Sequence, residues 1–210
     1  WSFLALGGLV IGGIYAGVFT PTEAGALGAA GAFIIAMVRR KLSFSMVREV
    51  FLETATTTSV IFIVLVGALI FTSYLAISGG STAVSEYIIA LDVPPIVLLL
   101  GYVVLLLALG CIVDPISVMF LTVPIFVPPL VALGLHPIWI GIIVAKTLEI
   151  GMITPPIGLN AFVLKSVVPS FSLREIFGGI WWFLQVELVT LALLIAFPWL
   201  ALWLPSLAFD

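Results

Sequence analysis

The chain has 210 residues, of which 63% are hydrophobic and 8% are charged, and its mean hydropathy is +1.41. Soluble domains carry about 25% charged residues, so this composition excludes a water-soluble globular fold and predicts a membrane protein. The net charge of -3 is small and gives no reason to expect a nucleic-acid partner. The single cysteine, Cys111, excludes a disulfide within the chain.

Residues 1–40 are predicted to form two connecting transmembrane helices. The first runs through an apolar stretch from Trp1 to about Gly17, and the chain opens inside it with no signal-peptide pattern before it, which suggests a piece of a longer protein. A capping box is expected at the next helix, with Thr20 as N-cap and Glu23 three residues later. This second helix, rich in Gly and Ala, is typical of closely packed membrane helices.

Residues 41–53 mix apolar and charged side chains and predict an amphipathic helix on the cytoplasmic membrane surface. A similar segment recurs at residues 170–177, with a capping box from Ser172 to Glu175. The last part of the chain, residues 169–210, is therefore predicted to hold a second cytoplasmic amphipathic helix and a final transmembrane helix from about 180 to 204.

Residues 54–168 are predicted to contain a full span, then two apolar helices over residues 94–129 that meet at Asp114. A charge at the bilayer centre costs about 2.5–3.5 kcal/mol on insertion scales, so it normally faces protein or a watery pathway. Asp114 is therefore interpreted as the tip of a re-entrant hairpin. The alternative is that both arms span the membrane and Asp114 lies in an ordinary cytoplasmic turn.

The helix predicted for residues 138–168 is expected to break between Gly151 and Asn160. Pro155 and Pro156 cannot donate helical hydrogen bonds and push Thr154 out of the helical region. Broken helices at membrane depth expose carbonyls and helix ends that secondary transporters use to bind cations, and Asn160 is placed to cap or coordinate where the helix resumes. A plain loop between two short helices is the alternative.

Other polar residues receive less specific interpretations. Lys146 and Glu149 lie on one helix face and predict a local ion pair that is either structural or lines the transport path. His136 is expected in a surface turn, and Cys111 is expected to pack as a small hydrophobe near the hairpin tip.

The distribution of basic residues predicts the orientation of the chain. One side holds Arg39, Arg40, Lys41, Arg48, Lys165 and Arg174, whereas the opposite side holds Glu23, Glu86, Asp92 and His136. Because basic loops stay on the cytoplasmic side, the Arg39–Arg48 loop is predicted to be cytoplasmic and the C-terminus periplasmic.

Three motifs occur in order: residues 17–24 (GVFTPTEA), 111–115 (CIVDP) and 149–160 (EIGMITPPIGLN). Together they resemble the C-terminal half of the large permease subunit of tripartite ATP-independent periplasmic (TRAP) transporters. The resemblance implies an all-α polytopic membrane protein of the ion-transporter-superfamily fold. It makes residues 54–168 the second inverted transport repeat, with the re-entrant hairpin at 94–129 and the broken transmembrane helix at 138–168. The first repeat has no counterpart in this sequence.

The resemblance also implies a function. A TRAP permease imports an organic acid, such as a C4-dicarboxylate or sialic acid, by sodium symport through an elevator-type mechanism in the bacterial inner membrane. Its partners are a small membrane subunit and a periplasmic substrate-binding protein, and it needs no cofactor besides the coupling sodium ions. Carried over to matching positions, the resemblance implies ion and substrate binding near Gly110, Asp114, Gly151, Thr154, Pro155, Gly158 and Asn160.

Three other functions compete with this interpretation. A carboxylate symporter of the same fold group that works without a binding protein is the nearest alternative. An intramembrane enzyme would need paired catalytic groups or metal ligands in the spans, and one His in a loop with one Cys supplies neither, so no enzyme is predicted. An inert helical scaffold leaves Asp114 and the Pro155–Pro156 break unexplained.

Overall fold

Helices make up all the regular secondary structure in the part of the chain that the computed structural model describes, residues 1–90 and 92–209. Four of them are long and apolar enough to cross a membrane, judged by length and composition: Pro21–Val38, Phe44–Ile77, Pro115–Ala132 and Leu173–Ala196. The ten described helices are α1 (Ser2–Tyr15), α2 (Pro21–Val38), α3 (Phe44–Ile77), α4 (Gly80–Ala90), α5 (Pro95–Gly110), α6 (Pro115–Ala132), α7 (Pro137–Ile153), α8 (Leu159–Val167), α9 (Leu173–Ala196) and α10 (Trp199–Phe209).

Large apolar side chains cover much of the helix surface. Phe3, Phe44 and Ile77 are 86%, 85% and 89% exposed, and α3 contains no buried residue. Soluble proteins rarely expose apolar patches larger than a few hundred Å². The outer surface therefore suits lipid or neighbouring membrane helices, as expected of a multi-pass membrane protein.

The chain divides into two compact units, residues 1–60 and 61–210. In the first unit, α1 and α2 pack closely because glycine faces larger side chains. A Cβ atom added at Gly31 would lie 2.5 Å from Cδ1 of Leu6, and one at Gly28 would lie 3.5 Å from Cγ2 of Val10. Small residues that let helices approach closely are typical of packing in membranes.

The capping box predicted at the start of α2 is confirmed. The Thr20 backbone N–H donates to Glu23 Oε2 at 2.8 Å, and the Glu23 N–H donates to Thr20 Oγ1 at 3.3 Å. Pro21 occupies the first helical position, where a missing N–H removes no helical bond. The second predicted box, between Ser172 and Glu175 at the start of α9, is also present.

The second unit has a buried core built mainly from α5, α6, α7 and α9. Tyr102 of α5 and Thr122 of α6 join the two hairpin arms through an oxygen–oxygen hydrogen bond of 2.9 Å. Because the Thr122 hydroxyl donates to the Val118 carbonyl, Tyr102 must be the donor. The Tyr102 ring also stacks on Phe126, with 4.9 Å between ring centroids. The arms of the hairpin are therefore fixed to each other inside the core.

Two helix boundaries differ from those expected. The surface helix predicted for 41–53 and the span predicted from residue 54 form one continuous helix, α3, since no Gly or Pro lies between Phe44 and Val66. The final span predicted for 180–204 is interrupted between α9 and α10, because Pro198 has no N–H to continue the helix.

Candidate ion-binding site

The hairpin tip lies between α5, which ends at Gly110, and α6, which begins at Pro115. Asp114 is the N-cap of α6, and its Oδ1 accepts a hydrogen bond from the Ser117 backbone N–H at 2.9 Å. A carboxylate at this position also interacts favourably with the positive end of the helix dipole. Cys111 is buried at the tip, as predicted for a small hydrophobe. Asp114 itself is exposed and stabilises the start of the second arm.

The break between α7 and α8 lies where the prolines predict it. Thr154 ends α7 in an extended conformation (φ -84°, ψ 133°), and its hydroxyl donates to the Ile150 carbonyl at 2.6 Å. Gly158 precedes α8 with φ +59°, a left-handed conformation that glycine adopts without the steric cost of a Cβ. The helix therefore stops, turns at residues 155–158 and resumes at Leu159.

The break changes which backbone groups can pair. Pro155 and Pro156 have no N–H, so they cannot donate to the carbonyls of Gly151 and Met152 four residues earlier. The Gly151 carbonyl instead accepts a bond from the Thr154 N–H at 3.1 Å. The end of α7 thus presents carbonyl oxygens and the Thr154 hydroxyl oxygen. These are neutral oxygen ligands of the kind that broken transporter helices offer to cations.

The hairpin and the broken helix meet at Gly110 and Gly151. A Cβ atom added at Gly151 would lie 2.9 Å from the Gly110 Cα atom, closer than side chains tolerate. A Cβ at Gly110 would lie 3.4 Å from the Gly151 Cα atom and 3.6 Å from Cδ2 of Leu148. The two backbones are therefore in direct contact, and at position 151 only glycine allows it.

The remaining predicted residues lie around this contact to different extents. A Cβ at Gly158 would lie 3.1 Å from Cε1 of Phe177 and 3.4 Å from the Ile153 carbonyl oxygen, so Gly158 is packed between α7 and α9. Asn160 is exposed in the first turn of α8. Of its two expected roles, capping is wrong, because Gly158 occupies the cap position, and ion coordination stays a prediction.

The described residues contain no group of three or more His, Cys, Asp or Glu side chains that could hold a metal ion. Gly110, Gly151, Thr154 and Gly158 are brought together around the end of α7, and the donors there are neutral oxygens. This arrangement fits a weakly bound alkali cation better than a transition metal, which prefers imidazole or thiolate ligands.

Residues 1–200 match the family described as the tripartite ATP-independent periplasmic transporter, DctM component. The chain belongs to this family. The match covers both the α5–α6 hairpin and the break between α7 and α8.

Relatives within the family have different named substrates. The chain is 34% identical over 200 residues to the C4-dicarboxylate TRAP transporter large permease protein DctM of Rhodobacter capsulatus, covering 95% of this chain and 45% of that protein. It is 33% identical over 202 residues to the sialic acid TRAP transporter large permease protein SiaM of Vibrio cholerae, covering 95% and 47%. The chain thus spans about half the length of the curated relatives that it matches.

Some polar contacts of this permease chain escaped the sequence analysis. Lys146 pairs with Glu149 as predicted, and also with Glu187 of α9. The Trp139 indole donates to the Leu194 carbonyl. Only the absence of an N–H at Pro198 could have pointed to a free carbonyl at Leu194, and no local pattern identifies Glu187 as the partner of Lys146.

Proposed function

We propose that this chain is the C-terminal half of a TRAP large permease that imports an organic acid by sodium symport. The observation that carries the proposal is the backbone contact of Gly110 with Gly151, which joins the hairpin tip to the end of a broken helix. Secondary transporters bind coupling ions at broken helices near the bilayer midplane, where free carbonyls replace the hydration shell.

Sodium is proposed to bind at the end of α7. The Thr154 hydroxyl donates a hydrogen bond to the Ile150 carbonyl, so the lone pairs of the hydroxyl oxygen can face a cation. Because Pro155 has no N–H, the Gly151 carbonyl accepts from the Thr154 N–H instead, and its second lone pair is proposed to face the ion. Gly110 and Gly158 permit the close backbone approach that encloses the ion. Asp114 fixes the second hairpin arm, and Asn160 lines the exposed side of the turn.

The substrate is proposed to be an organic acid, with carboxylates such as C4-dicarboxylates or sialic acid as the first candidates. The relatives are named for C4-dicarboxylates and sialic acid, and another, from Oleidesulfovibrio alaskensis, is named for isethionate. All three are organic anions, so a permease half shared among them is better suited to the common charge than to one carbon skeleton. A small membrane subunit and a periplasmic binding protein complete the proposed transporter.

An elevator-type movement is proposed for the hairpin and the broken helix as one body. The hydrogen bond between Tyr102 and Thr122 fixes the hairpin arms to each other, and the contact of Gly110 with Gly151 leaves no space for sliding at the tip. Packed interfaces of this kind move as rigid units rather than deform continuously.

The protein is proposed to lie in the bacterial inner membrane, with the Arg39–Arg48 loop cytoplasmic and the C-terminus periplasmic. The support is the clustering of basic residues on one side. Lys41→Cys and Glu86→Cys in a Cys111→Ser background should react with an impermeant thiol reagent from opposite faces. Labelling of Lys41→Cys in spheroplasts with intact inner membranes would overturn the orientation.

The function is tested by reconstituting the complete transporter in liposomes with its binding protein and candidate radiolabelled carboxylates. Uptake should require an inward sodium gradient and should fall to background when potassium replaces sodium. Uptake that needs no binding protein would support the alternative carboxylate symporter instead. Uptake that is indifferent to sodium would contradict the proposed coupling.

A further inference from the structure

Two polar interactions, or ties, join helix α7 to α9: a hydrogen bond of Trp139 and an ion pair of Lys146. Near the start of α7, the Trp139 indole Nε1–H donates to the Leu194 carbonyl oxygen at 2.7 Å. Two turns later, the Lys146 ammonium forms an ion pair with Glu187 of α9, and it also contacts Glu149 Oε2 at 2.9 Å. Both ties join α7 to the same helix, which follows the broken segment in the chain.

The first tie uses a carbonyl that the sequence of α9 leaves free. In a continuous helix the Leu194 carbonyl would accept from the N–H of residue 198, but that residue is Pro198 and has no N–H. An unpaired carbonyl in an apolar environment costs several kcal/mol in membranes. Trp139 supplies the missing donor, so the end of α9 is stabilised by α7.

The second tie involves two carboxylates in different surroundings. The Glu187 side chain is 26% exposed and the Lys146 side chain 19%, whereas the Glu149 side chain is 61% exposed. Glu149 is therefore the less enclosed partner of Lys146, whereas Glu187 is largely enclosed and has Lys146 as its counter-charge. Charged residues within membrane helices normally have such a specific partner.

The two ties fix the register of α7 on α9. Trp139 precedes Lys146 by seven residues and Leu194 follows Glu187 by seven, so the helices are antiparallel and the ties are about 10 Å apart along the axis. Leu184 and Leu191, on the same side of α9, are buried in the core. A slip of one turn would break both ties at once.

The face of α7 that carries these ties is turned away from the hairpin. Lys146 precedes Gly151 by five residues, which places it about 140° around the helix from Gly151 and about 7–8 Å along the axis. Helix α9 therefore packs against the side of α7 that is roughly opposite to the side facing α5. Since Gly151 tolerates no displacement toward Gly110, a shift of α7 on α9 would alter the backbone contact.

We propose that Lys146 is a positioning residue for the cation site: its ion pair with Glu187 holds α7 in the register that places Gly151 against Gly110. The proposal rests on the proposed sodium-coupled function. It concerns Lys146 and Glu187 as a pair, and it assigns neither side chain to ion or substrate binding.

The test measures half-saturating sodium and maximal uptake separately in the complete transporter. Lys146→Met should raise half-saturating sodium about tenfold, since loss of a residue that orients a ligand costs metal sites about 10–100-fold in affinity. Lys146→Arg should keep the parent value. Exchanging the two charges, Lys146→Glu with Glu187→Lys, should restore most of the sodium affinity because residue 187 can then pair with residues 146 and 149.

Glu149→Gln is the matched control, because it removes the exposed partner of the same lysine and should leave half-saturating sodium unchanged. A rise in that variant equal to the rise in Lys146→Met would overturn the assignment to Glu187. So would a Lys146→Met transporter with lowered thermal stability or abundance but parental half-saturating sodium, because that result would make the pair purely structural.

The two proposals fail in different ways. If the parent transporter shows no sodium dependence, the proposed function is wrong before any variant is compared. If the parent depends on sodium and neither Lys146→Met nor Glu187→Gln changes its half-saturation, only the positioning proposal is wrong.

Discussion

The two ends of α7 are built from different chemistry. Its first ten residues include Trp139, whose indole donates a hydrogen bond to α9, and Lys146, which forms an ion pair with α9. Its end consists of Gly151, which contacts another backbone directly, and Thr154, which precedes two prolines. Polar side chains bond to α9 in the first part, whereas the end offers backbone oxygens next to buried Leu148 and Ile150.

Along α7, the residues that hold the helix in position are therefore different from the residues that are proposed to bind the ion. The glycine–proline end packs through buried Ile150 and through the backbone of Gly151, and these apolar contacts specify the register of the helix less strictly than a hydrogen bond or an ion pair does. The polar side chains of the first part specify that register. We therefore expect substitutions at the end of α7 to abolish ion coupling, and substitutions at its beginning to change stability or affinity in smaller steps.

The largest effect is expected from Gly151→Ala. The new methyl group would lie 2.9 Å from the Gly110 Cα atom, so one backbone must move. Overpacking of this kind costs about 1–3 kcal/mol, and the displacement falls on the proposed ion site, so sodium-driven uptake should be lost.

Gly141→Ala is the matched control on the same helix, because a Cβ there meets no atom within 4 Å. It should insert and transport like the parent, with up to about 1 kcal/mol of added helix stability. Equal uptake by the Gly141→Ala and Gly151→Ala transporters would show that the contact with Gly110 is not needed.

A smaller effect is expected at the hairpin tip. Asp114→Ala removes the N-cap of α6 and should cost about 0.5–2 kcal/mol, with reduced uptake and lower thermal stability of the purified transporter. Asp114→Asn should retain more of both, since Asn caps helices as well as Asp does. Parental uptake and sodium dependence in both variants would leave the interpretation of an ordinary turn standing.

The smallest effect is expected at the beginning of α7. Trp139→Phe leaves the Leu194 carbonyl without a donor and should destabilise the transporter by about 0.6–1.7 kcal/mol, the range for hydrogen bonds between membrane helices. The measurement is the midpoint of thermal unfolding.

Pro198→Ala sharpens this test, because residue 198 then has an N–H for the Leu194 carbonyl. Trp139→Phe should cost less in that background than in the parent. The same cost in both backgrounds would show that the proline does not account for the bond between α7 and α9.

Local chemistry explains what could be predicted from the sequence. The capping boxes at Thr20 and Ser172, the cap at Asp114 and the break after Ile153 all depend on residues within a few positions of each other. Proline and capping side chains act on their own helix, so their effect needs no knowledge of the tertiary structure.

Long-range contacts could not be predicted in the same way. The pairing of Lys146 with Glu187 depends on the rotation and register of two helices that are 41 positions apart at this point. The continuity of α3 was missed because a change in polarity at residue 53 was interpreted as a helix end, although no helix-breaking residue lies there.

The central claim is that the broken end of α7 binds sodium. The most direct measurement is the thermal unfolding of the purified complete transporter in sodium and in potassium, because a ligand that binds only the folded state raises its unfolding temperature. The parent should unfold at a higher temperature in sodium. The variant Pro155→Ala with Pro156→Ala should be at least as stable in potassium, because each proline in a helix interior costs about 3 kcal/mol, but it should show no sodium-specific rise. A sodium-specific rise equal to that of the parent would contradict the claim.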